Sequence, residues 1–117
     1  NRLEQVLANL VDNAIKYGRQ QGSVVLGSEN LGANKIEIFV RDDGPGIPAE
    51  SLDRVFERFY RVDKARSREQ GGTGLGLSIV KHIIQNHGGE VWARSEPGKG
   101  ATFFFTLPTL SAKAVQN

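Results

Sequence analysis

The chain has 117 residues, 38% hydrophobic and 24% charged, with a formal net charge of +2. That suits one soluble domain with a real core, and the charge is too small to argue for nucleic acid as the main partner. It holds no apolar run of about 18 residues and no signal-peptide pattern, and the absence of cysteine excludes disulfides and thiolate metal sites. Methionine is absent too, so Asn1 is expected to lie inside a longer parent chain.

Residues 2–17 carry helical periodicity: Leu3, Val6, Leu7, Leu10, Ala14 and Ile15 recur at spacings of three and four. Gly18 ends the pattern. "SVVLGS" (23–28) and "KIEIFVRD" (35–42) read as two strands joined through "NLGAN". "DDGPGIP" (42–48) is a tight loop, and 49–60 reads as a short amphipathic helix with Leu52, Val55, Phe56 and Phe59 on its apolar edge. Residues 61–73, "RVDKARSREQGGT", lose all apolar periodicity and predict a mobile loop. A helix over 74–87 buries Ile79, Val80, Ile83 and Ile84 and stops at Gly88 and Gly89. "EVWARSE" and "ATFFFTLP" form a hairpin across "PGKG", and 109–117 read as a tail. The whole predicts a two-layer α/β sandwich, helices packed on one face of a mixed sheet.

Three stretches carry chemistry. On the first helix, at about 100° per residue, Asn9, Asn13 and Lys16 fall within roughly 60° of one another, with Tyr17 at the stripe's edge. A solvated face is the ordinary reading of such a stripe. However, asparagine is a mediocre helix former, and solvated faces favour Glu and Lys pairs. The alternative is metal plus phosphate: an Asn oxygen suits Mg²⁺, Lys16 suits a phosphate oxygen, and Tyr17 can cover a planar ring. In "RDDGPGIP", Asp-Gly and Pro-Gly are strong turn dipeptides. Asp42 at the strand end can also accept from an exocyclic amine such as adenine's, where guanine presents a carbonyl. Gly44 and Gly46 allow close approach to a ring, and Asp43 is expected to face water. "GGTGLGL" (71–77) is either a plain loop-to-helix joint or a phosphate cradle of bare backbone N–H groups at a helix N-terminus.

Taken in order, "NLVDNAIKYG", "DDGPGI", "FERFYRVD" and "GGTGLGL" resemble the catalytic, ATP-binding domain of bacterial sensor histidine kinases. That domain has the Bergerat-type fold shared with DNA gyrase and MutL, and the resemblance covers about residues 2–107. It implies ATP and Mg²⁺ as ligands, with Asn13 ligating the metal and Asn9 supporting it. Lys16 and Tyr17 match contacts to phosphate and the base region. Asp42 matches the adenine reader, with Gly44, Gly46 and Ile47 beside it. Phe56 and Phe59 match an aromatic box that anchors the lid. Arg61 matches an arginine that reaches the terminal phosphate. Gly72, Thr73, Gly74, Leu75, Gly76 and Leu77 match the second glycine box. Residues 47–73 would then be the ATP lid, whose basic run is largely solvated.

Hydrolysing relatives of this fold resemble a helix with Glu one turn before the metal-binding Asn. Here Asn9 stands there, and an amide cannot act as a general base. The resemblance therefore implies protein-histidine kinase activity. The acceptor would be a histidine on a separate phosphoacceptor domain of the same parent, often in a dimer, with a response regulator downstream. This domain would be cytoplasmic without membrane contact of its own, and the parent a bacterial inner-membrane sensor. Neither His82 nor His87 has the context of an acceptor. Family domains usually carry a strand and a short helix before the Asn-bearing helix, and this chain begins at that helix. A nucleotide-responsive binding module without phosphotransfer is the second reading. A P-loop enzyme is excluded by the lack of GK[ST], and a Rossmann site by the charged loop before the glycines.

Overall fold

The computed structural model describes residues 2–19, 21–32, 34–60 and 76–109. Helix α1 (Arg2–Tyr17) is set by its apolar spacing: Val6, Leu10 and Ala14, four residues apart, are buried, with Leu3, Leu7 and Val11 packed beside them. Glu4 in the first turn and Lys16 in the last suit the helix dipole. Ile15, grouped with the apolar face from sequence, is instead 66% exposed. It lies about 100° around the axis from Ala14, past the edge of the buried stripe.

Four strands follow the expected segments: β1 (Val24–Asn30), β2 (Lys35–Asp42), β3 (Val91–Glu96) and β4 (Gly100–Pro108). Their order is β1-β2-β4-β3, and every adjacent pair is antiparallel. The sheet is thus antiparallel among the described strands, not mixed. β2 and β3 run parallel, but the β3–β4 hairpin places β4 between them. No parallel pair becomes adjacent, because the crossover from β2 to β3 skips one strand position.

One face of the sheet carries Val40, Ala101, Phe103 and Phe105, all buried. α1 and α3 (Gly76–Asn86) cover it, the latter through buried Val80, Ile83 and Ile84. Each fully buried side chain of this kind contributes about 1.5–3 kcal/mol relative to exposure. The other face carries a cross-strand row, Phe39–Phe104–Trp92. Trp92 stacks on Phe104 with centroids 5.2 Å apart and planes 6° apart.

α3 ends in a Schellman motif. Gly88, at φ 81°, donates to Gln85 O at 3.0 Å and Gly89 donates to Ile84 O at 2.9 Å. His87 adds a cap, its Nδ1–H donating to Ile83 O at 2.8 Å. His82 is exposed, and its Nε2 accepts from Asn86 Nδ2 at 3.3 Å. Both histidines therefore have local partners on α3.

The segment expected as a helix over 49–60 is helical only at α2 (Ala49–Leu52). From Ser51 onward the hydrogen bonds advance in three-residue steps: Ser51 N to Pro48 O, Arg54 N to Ser51 O, Glu57 N to Arg54 O and Tyr60 N to Glu57 O. Tertiary anchors favour this tighter ladder over an α-helix. Val55 is buried, Phe56 packs edge-on against Phe103 at 6.0 Å, and the Tyr60 hydroxyl is 2.7 Å from Ser51 Oγ. Phe59, expected on the apolar edge, adopts φ 65° and is 60% exposed, with the Arg58 guanidinium 5.1 Å from its ring centroid. Among the described residues no helix is long and apolar enough to cross a membrane.

Candidate functional site

The polar stripe of α1 is not a solvated face. Asn9, Asn13 and Lys16 are all half-buried, whereas Glu4, Gln5, Ala8, Asp12 and Ile15 form the exposed side. Asn9 Nδ2 donates to the carbonyl of Gly76, the first residue of α3, at 3.3 Å. The described end of the second glycine box therefore lies against the stripe. Leu77 packs against the core, which seats the start of α3. Lys16 pairs with Asp12 at 3.1 Å, one turn back on the same helix. Tyr17 is half-buried at the stripe's C-terminal end.

At that end α1 meets the Asp42 turn. Asp42 is 6% exposed, and its Oδ1 accepts from Gly44 N at 2.9 Å and Ala101 N at 3.4 Å. The turn sits directly on the helix. A Cβ at Gly44 would lie 2.7 Å from Tyr17 O and 2.8 Å from Gly18 Cα, so no other residue fits without a shift. Gly46, at φ 86°, and the buried Ile47 continue the loop.

Asp43 does not face water as expected. It is half-buried, and its Oδ2 accepts from Ser23 N at 3.1 Å and Ser23 Oγ at 3.3 Å. Its Oδ1 is enclosed without a partner in the structure. The Ser23 backbone bond is the main cause that holds its carboxyl below the ordinary value, with Arg19 adding a smaller attraction. Asp43 thereby ties the α1–β1 connection to the turn.

The β3–β4 hairpin turn was missed as part of the site. Gly98 N donates to Pro45 O at 2.7 Å, and Ser95 Oγ accepts from Ile47 N at 2.6 Å. Gly100, at φ 100°, passes so close to Asp42 that a Cβ would lie 2.1 Å from the Asp42 carbonyl oxygen. "PGKG" announces a turn but not what it presses against, so no local signal would have found this contact.

The structure thus brings Asn9, Asn13, Lys16 and Tyr17 together with Asp42, Gly44, Gly46 and Ile47 at one end and Gly76 and Leu77 at the other. Arg61, Gly72, Thr73, Gly74 and Leu75 lie outside the described residues, as do 61–73 of the expected lid and 110–117 of the tail. Among the described residues no group of three or more His, Cys, Asp or Glu side chains could hold a metal ion. A cation here would rely on an amide oxygen such as that of Asn13, together with oxygens brought by a ligand. That donor set fits Mg²⁺, which is commonly held through substrate phosphates.

A profile of the histidine kinase-, DNA gyrase B- and HSP90-like ATPase family matches residues 1–111. Sensor histidine kinase WalK of Bacillus subtilis is 50% identical over 109 residues, which is 92% of this chain and 18% of the relative. Sensor protein kinase WalK of Staphylococcus aureus is 46% identical over the same share of this chain and 26% of the relative. This chain therefore spans about a fifth to a quarter of the length of these curated relatives. Among solved structures, the mycobacterial sensor histidine kinase MprB superposes with a TM-score of 0.83 at 32% identity, covering 94% of this chain and 74% of that one. Full-length ShkA in complex with AMPPNP gives 0.78 at 34% identity, covering 95% and 22%. The sequence match and the superposed fold agree over the elements that build the site, and the chain belongs to the histidine kinase-, DNA gyrase B- and HSP90-like ATPase family, among its sensor histidine kinases.

Proposed function

We propose that this domain binds Mg-ATP along α1 and presents the γ-phosphoryl group to a histidine on a separate phosphoacceptor domain of its parent protein. The observation that carries the reading is the double docking of α1. Its Tyr17–Gly18 end is pressed against the Asp42 turn, and Asn9 is tied to the start of α3. These two contacts are nine residues apart, about 13 Å along the helix axis, with Asn13 and Lys16 between them. Such a spacing suits an elongated ligand with a base at one end and phosphates at the other. ShkA, a structural neighbour, was solved with AMPPNP.

In this reading Asp42 fixes the base. Two backbone amides engage its Oδ1, and Oδ2 accepts the adenine amine. Guanine's carbonyl in that place would be repelled. Lys16 leaves Asp12 for a phosphate oxygen. The helix N-terminus at Gly76 supplies a favourable dipole for negative charge, continued by Gly72, Thr73, Gly74 and Leu75, and Arg61 approaches the terminal phosphate. Mg²⁺ held by Asn13 and the phosphates would neutralise charge on the transferring group.

Asn9 has no carboxylate with which to take a proton from water, and its amide is bonded to Gly76. Hydrolysis is therefore slow, and positioning favours transfer to a histidine supplied by another domain. The parent is a membrane-anchored sensor, and a response regulator receives the phosphoryl group downstream.

The test mixes this chain with the histidine-bearing segment of its parent and γ-labelled ATP. Acid-labile label on that segment, outpacing phosphate release, is the expected result. Tight ATP binding with no transfer would favour a nucleotide-responsive binding module instead.

A further inference from the structure

We infer that Ser95 is a positioning residue for base recognition, acting through the loop that carries Asp42. The proposal rests on the adenine-binding reading of that loop. Ser95 lies on β3 and is half-buried. Its hydroxyl donates to Gly100 O at 3.0 Å and accepts from Ile47 N at 2.6 Å. One hydroxyl thus links the two strands of backbone that flank Asp42. Ile47 lies five residues beyond Asp42, and Gly100 packs against the Asp42 carbonyl. The next residue, Ala101, donates its N–H to Asp42 Oδ1.

Gly46 shows how closely the loop is held. A Cβ there would lie 2.7 Å from Ser95 Oγ and 2.8 Å from Glu96 O, at a φ of 86° that already favours glycine. A hydroxyl is suited to this place because it can donate and accept at once. Alanine would leave the Ile47 N–H without its acceptor in a partly buried site. The Gly46–Ile47 segment would be free to move away from β3, and the base-reading carboxylate would lose its fixed distance from Gly44 and Ala101. Ser95 need not touch the nucleotide to set which base is accepted.

The test measures ATP and GTP affinities by competition against a fluorescent ATP analogue for wild type, Ser95→Ala, Ser95→Cys and Ser95→Thr, with thermal melts alongside. Ser95→Ala is expected to lower ATP preference over GTP by about 10-fold, the scale of one lost buried hydrogen bond. Ser95→Thr, which keeps the hydroxyl, is expected to restore most of it. An unchanged ratio in Ser95→Ala overturns the proposal, whatever the melting midpoint does, since a merely structural role would lower both affinities together. If Ser95→Ala does not fold, Ser95→Cys decides: a cysteine variant with full discrimination overturns it, and a reduced ratio supports it. Asp42→Asn is measured in parallel. Full discrimination in Asp42→Asn would bring down the adenine-binding reading itself, whereas loss there with none in Ser95→Ala would bring down only the role of Ser95.

Discussion

Asn9 on α1 donates its side-chain amide to the carbonyl oxygen of Gly76, the first residue of α3, at 3.3 Å across 67 residues of sequence. The bond joins the asparagine stripe to the described end of the second glycine box, and it depends on a donor. A carboxylate in that place would face the Gly76 carbonyl oxygen with no hydrogen to offer.

Asn9→Asp should therefore cost about 1 kcal/mol of stability and weaken ATP binding. A denaturant midpoint and a binding titration on the same variant read both effects. Wild-type values for both would show that the bond contributes nothing.

Lys16 is held by Asp12 at 3.1 Å, with the two side chains 32% and 61% exposed. An exposed pair four residues apart is worth only a few tenths of a kcal/mol. Asp12→Asn should tighten ATP binding by about 2-fold at low salt, and the gain should vanish as salt screens the pair. Lys16→Ala should weaken binding by about 10-fold. Tighter binding by Asp12→Asn that persists at high salt would contradict the partner exchange.

Asp43 gives a pH prediction. Its carboxyl is held below the ordinary value of 3.8, chiefly by the Ser23 backbone N–H. A depressed carboxylate contributes stability above its unfolded value, and that contribution is lost as pH falls through the folded value. From this group, stability should fall as pH drops through 3.8 towards the lower folded value, and this part of the acid limb should flatten in Asp43→Asn. Parallel acid limbs for wild type and variant would show that the Ser23 bond does not bias ionisation.

Gly100 combines φ 100° with a Cβ position 2.1 Å from Asp42 O. Gly100→Ala must strain the backbone and move the Asp42 turn. It should destabilise the domain by more than about 2 kcal/mol and reduce ATP affinity beyond what partial unfolding explains. Urea denaturation and titration at low temperature separate the two.

Much of this architecture was legible in the sequence because it depends on local pattern. The four-residue spacing of Val6, Leu10 and Ala14 fixes both α1 and its buried face. Strand β2 ends at Asp42 as read. Asn9, Asn13, Lys16 and Asp42 converge because they are tied to regular elements that pack on one another. What escaped the reading depends on tertiary contact. Asp43 in a turn resembles any solvated aspartate until Ser23 folds back onto it. Ser95 and Gly100 look like hairpin residues until the hairpin is seen pressed against Pro45–Ile47. Residues 53–60 keep a helical-looking apolar spacing, yet Val55, Phe56 and the Ser51–Tyr60 pair draw them into three-residue turns and leave Phe59 exposed. The antiparallel order arises from the position of β4 between β2 and β3, which strand pattern alone does not encode.

Titration calorimetry with a non-hydrolysable ATP analogue, with and without Mg²⁺, tests most directly whether Asn13 and the Asp42 turn together make a Mg-ATP site. One site per chain is expected, tighter with Mg²⁺, with loss of the Mg²⁺ dependence in Asn13→Ala. Absence of binding by the folded wild-type domain, or an Asn13→Ala variant that binds the Mg²⁺ complex normally, would contradict it.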